Sequence, residues 1–218
     1  MAKGNNSKTS INSQTPEPAL SPKALLVLQA ARRVFLEHGF SAATTDMIQR
    51  AAGVSKSTLY AHLGSKEAMF SAVVRAECAQ QINQAQLWSI GGDNIKDKLK
   101  ALARAYLKIL VSPEALALHR MVVEVAPLFP HLAEIFYESG PETVYCALRR
   151  YLQEAVEKGE LDFKGIDLAG VAHIFASLVR GYPHSYYVFH SRRKVKAALL
   201  EKWIETSIKS FVLAFDKN

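Results

Sequence analysis

The sequence predicts an all-α protein in which a three-helix head is joined to a larger helical body, with about nine or ten helices in all. Two observations support this prediction. Residues 44–63 have the pattern of two short helices joined by a glycine turn. From residue 93 onward, apolar residues recur at helical spacing and no segment alternates as a strand would. We expect an N-terminal arm over 1–20, a head over 21–67 and a body over 68–218.

The composition fits a folded protein whose N-terminal part is basic. Of the 218 residues, 49% are hydrophobic, which is enough for a sizeable core in one large or two small domains. The net charge is +7, and residues 1–62 contain seven lysines and arginines against three acidic residues. This excess favours a polyanionic partner or an anionic surface. A basic surface that only keeps the protein soluble is an equal alternative.

Cysteine usage and hydropathy indicate the compartment. Cys78 and Cys146 have no metal-type spacing, and a secreted protein of this size often carries more cysteines. A reducing compartment is therefore favoured, with a redox-sensing pair as the open alternative. No hydrophobic run approaches the ~20 residues of a membrane span, and the first residues lack the apolar core of a signal peptide. We expect a cytoplasmic protein that does not associate with a membrane.

The chain begins with an arm and a supporting helix. Residues 1–20 are rich in Ser, Asn, Thr, Lys and Pro, so they bury too little apolar surface to fold and are predicted to be disordered. Ser21-Pro22 begins a helix, because serine caps a helix and proline suits its first turn. This helix is predicted to end at Gly39. Its apolar side consists of Leu25, Leu28, Ala31, Phe35 and Leu36.

The next two helices are defined by their caps. Thr44 or Thr45 caps the first, because a threonine hydroxyl accepts a hydrogen bond from a free N–H of the first turn. Gly53 ends it, since glycine adopts the left-handed conformation, and Ser55 caps the second helix over 56–61. The apolar face of the first helix consists of Met47, Ile48, Ala51 and Ala52. In the second helix Leu59 points inward, and the outward residues are Ser55, Lys56, Ser57, Thr58 and Tyr60.

A helix, a glycine-containing turn and a polar second helix form the helix-turn-helix pattern, whose second helix fits the major groove of DNA. An ordinary helical hairpin with polar residues facing water has the same pattern. Over about residues 21–75, however, the chain resembles the TetR family of transcriptional regulators. The matching residues are Ala31, Phe35, Gly39-Phe40, Thr44-Thr45, Ile48, Ala51-Ala52-Gly53-Val54-Ser55-Lys56, Thr58-Leu59-Tyr60, His62 and Gly64-Ser65-Lys66-Glu67-Ala68. Ser57 and Leu63 depart from the family pattern, which commonly has a glycine and an aromatic residue there.

The rest of the chain is predicted to be helices separated by Gly, Pro and capping residues. Ser65 caps a helix that continues to about Trp88, and Asp93 or Asn94 begins the next. The later helices are predicted over about 94–111, 113–125, 131–138, 141–158, 168–188 and 193–215. A three-helix head on a larger helical body for effector binding and dimerisation is the layout that the TetR resemblance implies.

The resemblance implies that the second short helix contacts double-stranded DNA at a palindromic operator. Lys56 suits guanine acceptors or a phosphate, and Tyr60 and His62 suit phosphate oxygens. Thr44, Thr45 and Lys66 stand at helix starts, where free N–H groups favour a phosphate, although pure capping explains them as well. The full set of expected DNA contacts is Thr44, Thr45, Ser55, Lys56, Ser57, Thr58, Tyr60, His62 and Lys66.

Two heads contact a palindrome only if the protein is a homodimer, which needs a large apolar face. Helices that are apolar all round are the candidates, although one subunit alone could fill those faces. The expected interface residues are Tyr145, Leu148, Tyr151, Leu152, Leu178, Val179 and Tyr182. The resemblance also implies a small-molecule effector in the body. Candidates to line its pocket, each also explained as plain core, are Leu102, Tyr106, Met121, Phe129, Phe136 and Phe175.

Catalysis and metal binding are not expected, and no cofactor is implied. His119, Glu124, His131, Glu134, His173 and His184 lie in the body, but none of them forms a zinc-type spacing. No nucleophile elbow or phosphate-binding glycine loop occurs. The sequence therefore favours a regulator, most simply a repressor, with activation left open. The alternative class is a protein that binds nucleic acids or anionic surfaces without sequence preference, which the short polar side chains after Ser55 disfavour.

Overall fold

The computed structural model describes residues 21–92, 94–215 and 217. The predicted arm over 1–20 lies outside these residues, as does Asp93. The all-α prediction is confirmed, and no β-strand occurs in the part of the chain that the structure describes. The helices of that part are α1 (Pro22–Ala42), α2 (Thr45–Ala52), α3 (Lys56–Leu63), α4 (Lys66–Gln84), α5 (Ile95–Leu110), α6 (Pro113–Val125), α7 (Pro130–Tyr137), α8 (Thr143–Glu157), α9 (Leu168–Phe189) and α10 (Ala197–Phe215).

The head, formed by α1 to α3 and the start of α4, packs around aromatic rings. Phe70 of α4 meets Phe35 and Phe40 of α1 edge to face, with ring centroids 5.3 and 4.9 Å apart. Phe129 of the body packs on Phe40 at 5.3 Å. Gly39 has a φ of 75° and interrupts the helical dihedral angles of α1, which resume for a last turn to Ala42. Gly39 therefore interrupts α1 where the helix was predicted to end, and α1 continues for three residues after it.

Two polar contacts connect the head to the elements behind it. Arg32 of α1 forms an ion pair with Glu77 of α4, and the Glu77 carboxylate is buried. Ser41 at the end of α1 donates a hydrogen bond to the carboxylate of Glu124 in α6, with 2.6 Å between the oxygens. Because α4 begins in the head and ends in the body, the position of the head depends on how α4 and α6 pack.

The body packs α5, α8, α9 and α10 around one apolar core. Phe175 of α9 and Phe211 of α10 are wholly buried and meet edge to face at 5.2 Å. The indole N–H of Trp203 in α10 donates to the carbonyl oxygens of Leu178 and Val179, at 3.1 and 3.0 Å. None of the helices in the described ranges is long and apolar enough to cross a membrane.

Three predicted helix boundaries were wrong, and at two of them a tyrosine hydroxyl holds the turn beside the helix end. α4 ends at Gln84 instead of near Trp88, and Leu87–Ser89 form a 3₁₀ turn. The Tyr151 hydroxyl of α8 holds this turn, donating to the Leu87 carbonyl and accepting from the Ile90 N–H. Before α8, residues Glu138–Glu142 form a π-helical turn around Gly140 and Pro141, so α8 starts at Thr143. α10 starts at Ala197, after a turn in which Lys196 N–H donates to the Tyr187 hydroxyl.

Candidate nucleic-acid interface and effector cavity

The helices of the head begin at the residues that the sequence predicts. The N–H of Met47 donates to the Thr44 hydroxyl, that of Thr58 to the Ser55 hydroxyl, and that of Ala68 to the Ser65 hydroxyl, all within 3.1–3.2 Å. Gly53 ends α2 with a φ of 65°. These local interactions fix where α2 and α3 start and stop, and hence which face of α3 is outward.

The outward face of α3 is a surface of short polar side chains. Leu59 is 0% exposed and anchors the helix to the head, whereas Ser55, Lys56, Ser57, Tyr60 and His62 are exposed and Thr58 is half-buried. The Ser55 hydroxyl lies 2.9 Å from that of Ser57 and 2.8 Å from that of Thr58. The first turn of α3 therefore groups three hydroxyls that can donate or accept hydrogen bonds at base edges or phosphates.

Lys56 and Tyr60 each have a partner on α2. Lys56 Nζ lies 3.0 Å from Asp46 Oδ1, and both side chains are exposed. This hydrogen bond, together with the negative charge of Asp46, raises the pKa of Lys56 above its usual value, so Lys56 is cationic. The Tyr60 hydroxyl donates to the Thr45 hydroxyl at 3.2 Å. In the free protein these contacts orient both side chains across the α2–α3 turn.

Lys66 is turned toward the head instead of outward. Its Nζ donates to the Ser41 carbonyl at 3.4 Å and lies 4.5 Å from the centre of the Phe40 ring. Partial burial lowers the pKa of Lys66. Eight of the nine expected DNA contacts lie on α3 or at the starts of α2 and α3. The ninth, Lys66, instead contacts the end of α1.

Two further residues brace the turn that carries α3, and the sequence analysis missed both. The Gln49 side-chain amide donates to the Val54 carbonyl at 3.1 Å, which bridges the turn. Arg33 of α1 donates to the Ala51 carbonyl at 3.2 Å, at the end of α2. Since both acceptors are backbone carbonyls, no residue-type pattern in the sequence indicates them.

The body contains a cavity of about 250 Å³ between the helices α4 to α9 and the π-helical turn. Most of its lining is apolar or aromatic, which is typical of small-molecule sites. Its polar groups come mainly from Gln81 of α4, His119 of α6, and Arg180 and His184 of α9. The lining residues are Cys78, Gln81, Ile82, Tyr106, Ile109, Leu110, Ala115, Leu118, His119, Phe136, Tyr137, Gly140, Pro141, Val144, Tyr145, Arg180 and His184.

The π-helical turn is part of the cavity wall. Gly140 lies against Cys78 of α4, and a Cβ at position 140 would be 3.2 Å from the Cys78 sulfur. Burial raises the pKa of Cys78 to about 12, so the thiol stays neutral and unreactive. π-Helical turns are common at functional sites. Here the turn displaces the start of α8 and brings Gly140 and Pro141 to the cavity, next to Tyr137 at the end of α7.

The predicted pocket residues divide into two groups. Tyr106 and Phe136 line the cavity, as expected of pocket residues. Leu102 and Phe175 are instead buried in the body core, and Met121 and Phe129 pack in the cluster behind the head, so none of these four lines it. The polar lining residues were missed. Arg180 and His184 are four apart on one helix, a spacing that places both on one face, but this spacing is equally common on exposed surfaces.

The predicted dimer residues need correction. Leu148, Leu152 and Val179 are 0% exposed within one subunit, so they cannot contact a second copy. Tyr145 lines the cavity, and the Tyr151 hydroxyl is engaged by the 3₁₀ turn. Leu178 is half-buried, and Tyr182 is 47% exposed on α9. The apolar periodicity of α8 and α9 therefore reflects mainly burial inside the subunit.

A metal centre is not formed by the histidines of the body. Within 21–92, 94–215 and 217, no three His, Cys, Asp or Glu side chains come together in a way that could hold a metal ion. His119 and His184 meet edge to face with ring centroids 4.8 Å apart. His173 packs edge to face on Tyr145 at 4.7 Å. These three histidines therefore act as aromatic packing groups, and His184 also accepts a hydrogen bond from Arg180.

The head has three helices, and α3, the second helix of its helix-turn-helix, is exposed and polar. Such a head on a larger helical body with its own cavity defines the class of helix-turn-helix regulators. Comparisons with known proteins agree with this class. Residues 27–73 match the family described as "Bacterial regulatory proteins, tetR family", and residues 97–217 match "AefR-like transcriptional repressor, C-terminal domain". The chain belongs to the TetR family of bacterial transcriptional regulators.

Individual relatives share either the whole fold or the head. The flavonoid-responsive regulator FrrA is 35% identical, with 90% of this chain and 98% of FrrA covered and a TM-score of 0.76. A TetR-family regulator from Mesorhizobium loti is 25% identical, with 89% and 96% covered and a TM-score of 0.80. The transcriptional repressor AcnR of Corynebacterium efficiens is 39% identical over 54 residues, which are 25% of this chain and 29% of AcnR. The likeness to AcnR thus covers less than a third of that protein.

Proposed function

We propose that this chain is a transcriptional repressor that binds a palindromic operator as a homodimer and is released by a small-molecule effector. Residues 21–67 bind DNA in this proposal, and residues 68–218 dimerise and bind the effector. The observation that carries it is the outward face of α3, where Ser55, Ser57 and Thr58 group their hydroxyls beside Lys56 and Tyr60. Short donors on an exposed helix suit base edges in the major groove.

Dimerisation is supported by an exposed aromatic surface on α9 and α10. Tyr182 is 47% exposed and lies 5.8 Å from the half-buried Trp203 ring. Ile174 of α9 is exposed on the same helix, two turns before Tyr182. Exposed aromatic residues next to one another are typical of interface centres. We propose that α9 and α10 of one subunit pack against the same helices of the other, through exposed residues such as Tyr182 and not through the buried residues Leu148, Leu152 and Val179.

Effector control is supported by the path of α4. This helix starts in the head at Lys66 and contributes Cys78, Gln81 and Ile82 to the cavity wall. A ligand that binds one arrangement of α4 better than another shifts the population of DNA-binding dimers. FrrA, which shares the fold over nearly its whole length, is described as flavonoid-responsive. An aromatic effector fits the aromatic lining of the cavity in this chain.

Genomic footprinting with the purified protein tests the DNA-binding proposal. We expect protected sites with two-fold symmetry, whose half-sites are separated by one helical turn or a whole number of turns. The variant Ser57→Glu, which places a negative charge on the outward face of α3, is expected to remove protection. Ser89→Glu, on the exposed 3₁₀ turn Leu87–Ser89, is the matched control and is expected to retain it. Binding that depends on salt but shows no preferred sequence would contradict the proposal.

A further inference from the structure

Arg180 is the only lining residue of the cavity, among the described residues, that carries a full charge at neutral pH. No aspartate or glutamate lines the cavity. Within the described residues, Arg180 forms no ion pair, and its one hydrogen bond runs from Nε to the Nδ1 of His184, at 3.4 Å. Arg180 is itself exposed, so the guanidinium stands at the solvent-accessible edge of the aromatic cavity with its terminal N–H groups available to an acceptor.

The two histidines of the cavity are neutral and do not add charge. Burial and the adjacent Arg180 lower the pKa of His184 to about 4, and they also lower the pKa of His119. Because His184 Nδ1 accepts from Arg180, its Nε2 carries the proton in the neutral ring. His184 thus offers a second donor from the same side of the cavity as Arg180.

Gln81 supplies a third donor without a partner. Its side-chain nitrogen is buried and has no hydrogen-bond acceptor among the described residues. Buried amide donors without an acceptor are rare in folded proteins, so the Gln81 amide is available to an acceptor in the cavity. Arg180, His184 and Gln81 together make the polar part of the cavity rich in donors, which suits a ligand that is rich in acceptors.

The rest of the cavity fits one or two flat rings. Aromatic side chains from three helices line it: Tyr106 of α5, Phe136 and Tyr137 of α7, and Tyr145 of α8. Its volume of about 250 Å³ is slightly below the ~300–1,000 Å³ usual for drug-sized ligands. A small aromatic molecule therefore fills the space without displacing the core.

We propose that the effector is a small aromatic acid, whose anionic group binds Arg180 and whose rings lie among the aromatic side chains. This inference rests on the proposed function, since it names the ligand class of the proposed effector cavity. A carboxylate satisfies the planar guanidinium with two parallel hydrogen bonds, which a neutral amide cannot match. Arginine at the cavity then selects acids over neutral molecules of the same shape.

Calorimetric titration of the full-length protein at pH 7.5 tests the ligand class with a matched pair of probes. The probes are biphenyl-4-carboxylate and biphenyl-4-carboxamide, which differ mainly in charge. We expect the carboxylate to bind about tenfold or more tightly than the amide. In Arg180→Met this preference is expected to fall to about threefold or less, whereas Arg180→Lys retains part of it. Arg192→Met, which removes an exposed arginine that does not line the cavity, is expected to leave the preference unchanged.

The outcomes separate this inference from the DNA-binding proposal. Equal affinity for the two probes, no binding of either, or an acid preference that survives in Arg180→Met would each overturn the assignment of an acidic ligand. Footprinting without any ligand measures DNA binding independently of the effector. The DNA-binding proposal is therefore tested by footprinting alone, whatever the probes show. If circular dichroism shows that Arg180→Met does not fold, the comparison of Arg180→Lys with wild type tests the inference instead. The planar guanidinium of arginine forms two parallel hydrogen bonds with a carboxylate, which the lysine ammonium group cannot, so the acid preference should be weaker in Arg180→Lys.

Discussion

Arg32 and Glu77 join α1 of the head to α4 through two contacts, 2.5 Å between Arg32 Nε and Glu77 Oε1 and 3.1 Å between Arg32 Nη2 and Glu77 Oε2. The two partners differ in exposure: the Arg32 side chain is 38% exposed and that of Glu77 is 5% exposed. The hydrogen bond to Glu77 raises the pKa of Arg32. Removing the arginine leaves a buried carboxylate, whereas removing the carboxylate leaves a cation that can reach water.

We therefore expect the two single variants to differ in stability. Arg32→Met should lower the free energy of unfolding by about 2–3 kcal/mol, because an unpaired buried charge is costly. Glu77→Gln should cost about 1 kcal/mol, and Arg32→Met with Glu77→Leu should recover part of the loss. Urea unfolding measures these values. The exposed pair Arg104–Glu201 is the control, and breaking it should cost less than about 1 kcal/mol. Equal losses for both single variants would contradict the asymmetry.

The contact between Lys56 and Asp46 predicts opposite effects of two variants on DNA binding. Lys56→Ala should weaken operator binding and reduce the slope of log affinity against log salt by about one unit per lost phosphate contact. Asp46→Asn should strengthen binding a few-fold, because it removes a negative charge near DNA and frees Lys56 from its partner. Fluorescence anisotropy over a salt series measures both effects.

Lys108→Ala provides the control for this pair, because it removes an exposed lysine from α5 and should change neither the affinity nor the slope. An unchanged slope in Lys56→Ala would contradict a phosphate contact by Lys56. Weaker binding in Asp46→Asn would show that Asp46 supports the bound position of Lys56 instead of competing with DNA for it.

The head could be predicted from the sequence because its determinants are local. Thr44, Ser55 and Ser65 cap the helices that follow them, and Gly53 adopts the left-handed conformation that ends α2. Each of these features depends on residue type within about four positions. Side chains on α3 then point outward because Leu59 must be buried. Lys66 is the exception, since its position over Phe40 depends on the last turn of α1.

The body could be predicted as helical, but not which faces of its helices meet. Leu148 and Val179 are wholly buried whereas Tyr182 is exposed, although all three lie on helices that are apolar on several sides. The cavity likewise depends on a π-helical turn at Gly140 that no periodicity indicates. Arg180 was missed because it is an exposed charged residue on an apolar helix, and such a residue usually marks only the solvent-facing side of the helix.

The exposed aromatic surface of α9 and α10 predicts the oligomeric state. Tyr182→Arg places a charge beside Trp203 and should weaken the proposed dimer by about thirtyfold or more, the usual effect of losing an interface hot spot. Sedimentation velocity at micromolar concentrations measures the shift from dimer to monomer. Leu128→Arg alters another exposed apolar residue, 74% exposed between α6 and α7, and should leave sedimentation unchanged. A wild-type monomer, or a Tyr182→Arg dimer of undiminished stability, would contradict this interface.

The environment of His184 predicts a loss of stability in mild acid. Burial, then the charge of Arg180, then His119 lower the pKa of His184 from 6.5 to about 4. The unfolded chain therefore binds a proton between pH 6.5 and 4 that the folded chain does not, so stability is complete above pH 6.5 and falls as the pH drops through this window. By this linkage, wild type should lose about 2 kcal/mol between pH 7.5 and 5.0 through His184 alone.

Urea unfolding of His184→Gln at the two pH values tests this assignment. The variant should be less dependent on pH than wild type by about the same 2 kcal/mol, whatever its absolute stability, because glutamine does not titrate. His131→Gln removes an exposed histidine outside the cavity, and it should keep the wild-type dependence. If His184→Gln and wild type lose equal stability in acid, protonation of His184 is not the cause, and the charge of Arg180 does not act on this ring as the structure indicates.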